Sequence, residues 1–146
     1  MLRLLPALLL AFSLAACDGT DDDDAPPPPP AAQSVAGVWE GTLTHSNPNI
    51  TDGTLTLTLT QVDRAITGTA AWRYGRLTGG GPAQSVGDTG SVLGTVPASG
   101  PVTYTISFQD SDRQLHDMTL SGSTLTGTWR SEGGGPSSGT STLTRR

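Results

Sequence analysis

The chain has 146 residues, 14% of them charged and none of them lysine, with 19 glycines, 11 prolines and a single cysteine. That length holds one modest domain, and a lone cysteine excludes an internal disulfide. The formal charge of −5 is concentrated at 18–24; from Val35 onward eight acidic side chains meet seven arginines, so the folded part lacks the basic stripe that nucleic-acid binding requires.

At the N-terminus, Met1-Leu2-Arg3 is a short positive start, and 4–14 is an apolar run too short to span a bilayer as a permanent helix. The run ends in Leu14-Ala15-Ala16-Cys17. These four residues resemble the lipobox of bacterial lipoprotein signals. The resemblance implies cleavage after a signal peptide at 1–16, a diacylglyceryl thioether on Cys17 and an added N-acyl chain. Several acyl chains make a lasting membrane anchor. Asp18 is similar to the residue that retains lipoproteins at the inner membrane in enteric bacteria. Asp21 to Asp24 and Pro26 to Pro30 follow. Charge repulsion and polyproline stiffness make 17–34 an extended tether, and four consecutive carboxylates without a turn glycine do not compose a calcium loop.

The domain expected at 35–146 is written in short alternating runs. The first, 35–44, puts Trp39, Gly41 and Leu43 on one face. In 53–62, Leu55, Leu57 and Leu59 alternate with threonines, the period of a strand with one buried side. After the connection at 62–65, Ile66, Gly68, Ala70 and Trp72 share a face. The run 89–96 reads as a fourth strand of ambiguous parity, because Val92 and Val96 oppose Leu93. Val102, Tyr104, Ile106 and Phe108 alternate cleanly with polar residues. His116, Met118 and Leu120 align in 115–121. Gly122-Ser123 suits a two-residue turn. Leu125, Gly127 and Trp129 align in 124–130, and 139–145 completes eight strands with Ser141 and Leu143.

A faint duplication links Ile66-Thr67-Gly68-Thr69 with Leu125-Thr126-Gly127-Thr128, each leading to Trp-Arg and then Gly-Gly-Gly-Pro. Eight sequential strands close into an antiparallel up-and-down barrel, which removes the exposed edges of a sheet. The apolar set must point inward, because a lipid-facing barrel would turn it outward. The Gly-x-Trp start (Gly37 to Trp39), the Gly-Thr strands and the Thr-Leu-Thr-Arg end (Thr142 to Arg145) resemble small avidin-like and lipocalin-like barrels carried by bacterial lipoproteins. The residues that hold biotin in avidins have no match here, so biotin binding is not carried over.

Up-and-down connectivity sends alternate loops to opposite ends. The connections 62–65, 97–101 and 122–123 are short; those at 45–53, 74–88, 110–114 and 131–138 are mostly longer and gather at the other end. Barrel mouths under such loops are habitual ligand sites. Leu43, Leu55, Trp72, Phe108, His116 and Trp129 share inward parity at that end. They compose either an aromatic-walled pocket for a small apolar ligand or simply the filling of a narrow barrel. Trp39, at the closed end, is core.

Catalytic chemistry is not indicated. His116 and Asp117 face opposite ways on a strand and cannot share a ligand, which argues against a metal or an acid–base pair built with Asp110 and Asp112. His45 stands in a loop without an evident partner. No serine has a nucleophile-elbow setting, and the Gly-Gly-Gly-Pro loops lack the continuation of a phosphate loop. Arg73, Arg76, Arg113 and Arg130 read as solubilising charges. The expectation is a non-enzymatic, cofactor-free, lipid-anchored protein of the bacterial cell envelope that binds a small apolar ligand or an envelope protein. The alternatives are a module with a filled barrel, similar to small lipoproteins that inhibit wall-degrading enzymes, and a structural or stress lipoprotein.

Overall fold

The computed structural model describes residues 33–79, 81–109, 113–133 and 137–146. The leader, Cys17 and most of the Asp/Pro tether lie outside the described residues, as do Asp110 and Asp112. The described residues form eight strands: β1 Gly37–Leu43, β2 Gly53–Val62, β3 Ala65–Arg76, β4 Gln84–Thr95, β5 Val102–Phe108, β6 Arg113–Ser121, β7 Thr124–Glu132 and β8 Ser138–Arg145. Each pairs antiparallel with the next, and β8 returns to β1 with Gly41 opposite Leu143, so the barrel closes in sequence order.

The alternation decides the sidedness. Leu55, Leu57 and Leu59 point inward and are buried, while Thr54, Thr56, Thr58 and Thr60 carry hydroxyls on the outer face. The same division holds in β5, where Val102, Tyr104, Ile106 and Phe108 are all buried. A hydroxyl-bearing exterior is the reverse of a lipid-facing barrel. The ambiguous parity of the fourth strand resolves in favour of Val92 and Val96, which are buried; Leu93 faces outward, 64% exposed.

Several inward positions need glycine because strands approach closely there, Gly127 and Gly41 among them. A Cβ on Gly127 would stand 2.0 Å from the Asp117 carbonyl oxygen, and one on Gly41 would stand 1.9 Å from that of Thr142. At the β2–β3 turn Asp63 takes a left-handed φ of 53°, and at the β6–β7 turn Gly122 takes 58°, conformations that Asp tolerates and Gly favours.

At the end where residues 33–36 join the barrel, Trp39 is fully buried and its indole Nε1 donates to the Val35 carbonyl at 2.8 Å. The Arg145 guanidinium lies 4.6 Å from its ring centroid, and that arginine also donates to the Ser34 carbonyl. Gln61 receives the Val35 N–H at 2.8 Å. These contacts tie the chain preceding β1 to the short-loop end and plug it.

The opposite end departs from expectation in one respect. The connection expected at 74–88 is strand for most of its length, since β3 runs to Arg76 and β4 begins at Gln84, with Tyr74 opposite Val86. Tyr74 continues the inward parity of Trp72 and is buried, and that apolar continuation carries the pairing past the barrel rim. The β1–β2 connection is likewise structured. It lies along this ribbon through an Ile50–Arg76 bridge, a Thr51 N–H to Gly75 carbonyl bond of 2.8 Å and a Leu77 N–H to Asn49 carbonyl bond of 2.8 Å.

Candidate functional site

The six residues singled out from parity all face inward and are buried, as the alternation requires. Leu55 is opposite Trp72 on β3, and Leu43 is opposite Gly53 on β2 and Ser141 on β8. Trp72 comes within 5.6 Å of Phe108 and 6.1 Å of Trp129, centroid to centroid. His116 stacks on Trp129 at 6.3 Å and on Tyr104 at 4.8 Å. Both tryptophans therefore stand at one end, and the aromatic set is continuous from Tyr104 on β5 through His116, Trp129 and Trp72 to Phe108. Tyr74 adds a ring 4.2 Å from Trp72; the shorter strand expected there hides it.

The residue missed by sequence reasoning is His45, at the start of the β1–β2 connection. Its imidazole lies parallel to the Trp72 indole, 5.9 Å away at an interplanar angle of 7°, and meets Trp129 edge-on at 4.9 Å. It is held from both nitrogens. The Asn47 N–H donates to Nδ1 at 3.1 Å, which leaves the proton on Nε2, and Nε2 lies 2.9 Å from the Ser137 hydroxyl. The His45 N–H bonds the Asp52 carboxylate at 3.3 Å. Burial against the indoles lowers its pKa, an effect partly opposed by the charge of Asp52, so the ring is neutral as it caps the mouth. Only its neighbourhood in space marks it; nothing in 45–52 alone does.

Glycines shape the slot. A Cβ on Gly53 would stand 2.7 Å from Trp72 Nε1, and one on Gly139 would stand 2.7 Å from Trp129 Nε1. Each indole edge thus lies over a strand position without a side chain. Trp129 Nε1 donates to the Thr44 carbonyl at 3.0 Å. Trp72 Nε1 has no such partner among the described residues.

Below the rings, burial dominates the electrostatics. His116 is fully buried, with its Nε2 3.2 Å from Gln114 Oε1. Desolvation pushes its pKa down to about 3, and the same cause raises that of Tyr104 well above the usual phenol range, so both are uncharged at neutral pH. Tyr104 Oη, His116 Nδ1 and Ser141 Oγ, like Trp72 Nε1, are buried polar atoms without a protein hydrogen-bond partner among the described residues. Each such group costs about 1–3 kcal/mol if nothing satisfies it; Trp72 lies on β3, Tyr104 on β5, His116 on β6 and Ser141 on β8. His116 and Asp117 do face opposite sides, and no group of three or more metal-ligating side chains exists among the described residues. Arg113 pairs with Glu132 at 3.4 Å on the exposed surface, an interaction of small energetic weight.

No family model matches the chain, and neither do any of the curated proteins or solved structures.

Proposed function

We propose that the chain is a non-enzymatic, lipid-anchored binding protein of the bacterial cell envelope, which takes a small planar ligand at its aromatic mouth. The observation that carries the reading is the placement of His45: the protein lays one of its own flat rings against Trp72 and Trp129. A slot that accepts an imidazole in this way suits an aromatic ligand of similar thickness, and the β1–β2 connection then acts as its lid. Leu43, Leu55 and Phe108 form the apolar floor and wall, and the buried His116 ring stands beside them. The Cys17 lipobox supplies the anchor, and within the barrel domain residues 33–36 meet β1 at the short-loop end, opposite the mouth.

Replacing His45 by glycine in the full chain removes the lid's ring without touching a strand. N-phenyl-1-naphthylamine, a neutral fluorescent dye, should then bind at least tenfold more tightly than to the parent, and a further Trp72→Ala change should abolish the gain. Equal dye binding by parent, single and double variants refutes the mouth. The anchor is tested separately: Cys17→Ser should move the protein from the detergent phase to the aqueous phase in Triton X-114 partition and remove the acyl mass. Detergent partition of the serine variant refutes lipidation.

One observation favours a second reading as a protein-interaction or inhibitor module. The stretch 84–87 of β4 pairs with β3 beyond the last strand pair that β4 makes with β5 among the described residues, Phe108 opposite Gly90. A ribbon projecting from the rim is a shape that inserts into a partner or accepts an added strand. Deleting 79–82 should abolish capture of an envelope protein on this reading and leave dye binding unchanged.

A further inference from the structure

We propose that the interior beneath the aromatic mouth holds the polar end of a neutral planar molecule, with Tyr104, His116 and Ser141 as its hydrogen-bonding groups. The inference rests on the reading of the mouth as a ligand site and adds what that ligand must carry. All three side chains are almost wholly inaccessible, and each presents an unpartnered polar atom among the described residues. The sheet register brings them to one wall. Tyr104 is opposite His116, His116 opposite Trp129, Trp129 opposite Gly139, and Ser141 is the next inward position along β8. Between them stand the buried Trp129, whose indole edge lies over Gly139, and Met118 opposite Gly127.

A barrel that only needed filling had simpler residues available. Phenylalanine for Tyr104 and alanine for Ser141 keep the carbon framework and remove the orphaned oxygen. The chosen groups also define the guest. With Nε2–H donating to Gln114 Oε1, His116 Nδ1 presents a lone pair, while the Tyr104 and Ser141 hydroxyls can donate or accept. None of the three is charged, so an ionic head would lose its hydration without a counter-charge from them. The fitting class is a neutral heteroaromatic with at least one donor, for Nδ1, and one acceptor, for a hydroxyl.

Three bicyclic probes of one shape separate the possibilities at pH 8: benzimidazole carries a donor and an acceptor, indole a donor alone, and indene neither. Calorimetric titration of the full chain should show benzimidazole binding at least tenfold more tightly than indene. In Tyr104→Phe or in Ser141→Ala that ratio should fall at least threefold, and in the double variant further, while the thermal midpoint of the unliganded variants stays level or rises. A ratio near one in the parent, with indene still bound, leaves the mouth intact and overturns the polar subsite. Failure of all three probes removes both. A midpoint that drops on Tyr104→Phe means that the hydroxyl is already satisfied in the free protein. Crystals soaked in benzimidazole that hold only ordered water at Tyr104 and Ser141 mean the same, and either result overturns the inference.

Discussion

Replacing His116 by glutamine should remove most of the acid sensitivity of the barrel between pH 6.5 and pH 4. The imidazole is fully buried and faced by Tyr104, Gln114 and Trp129, none of them ionised at these pH values. Desolvation lowers its folded pKa from 6.5 to about 3. Below pH 6.5 the unfolded chain binds a proton that the folded chain refuses, so stability is complete above that pH and declines as the pH falls toward 3. The loss works out at about 2 kcal/mol by pH 5 and about 3 kcal/mol by pH 4. That is a large share of the roughly 5–15 kcal/mol by which a domain is stable. Urea denaturation at pH 8, 6.5, 5 and 4 measures it as a difference between parent and variant, which cancels the contribution of His45. A ring-proton NMR titration of native His116 gives an independent check, since its shift should stay flat from pH 8 to pH 5. Equal pH slopes for parent and variant, or a native titration near pH 6, would refute the claim that the ring is held neutral by burial.

Two further expectations concern the barrel wall. Gly127→Val should lower stability by at least about 2 kcal/mol or prevent folding, since even a Cβ would meet the Asp117 carbonyl oxygen at 2.0 Å and Met118 Cα at 2.8 Å; circular-dichroism melting reads this directly. Leu93→Asp should change stability by no more than about 0.5 kcal/mol, because Leu93 faces solvent, while Val92→Asp next to it should unfold the domain by burying an unpaired charge. A reversed order in the same melting assay would put the parity of β4 the other way round.

Architecture is legible in the sequence because it rests on a short-range rule. In β2 and β5 every second residue is apolar, and a strand has only two sides, so Leu55 to Leu59 and Val102 to Phe108 reveal their inward faces without any tertiary information. Where that rule weakens, legibility weakens with it. Val92-Leu93 offers an apolar residue to each side, and the choice of Val92 is settled by its neighbours across the sheet, Ile106 on β5 and Gly68 on β3. The ribbon of Tyr74 and Val86 reads as loop because glycines at 75 and 87 interrupt it; the pairing of its two halves holds them as strand.

From the linear chain alone come the inward and outward sets, the eight strands in order and the grouping of Trp72 with Trp129 at one end. Those properties follow from a period of two and from hairpins that reverse direction each time. His45 as cap and the shared wall of Tyr104, His116 and Ser141 require the folded molecule. Those contacts join residues up to 92 positions apart, as between His45 and Ser137, and they depend on the stagger by which a tilted sheet closes on itself. That closure, unlike alternation, is a property of all the strands at once.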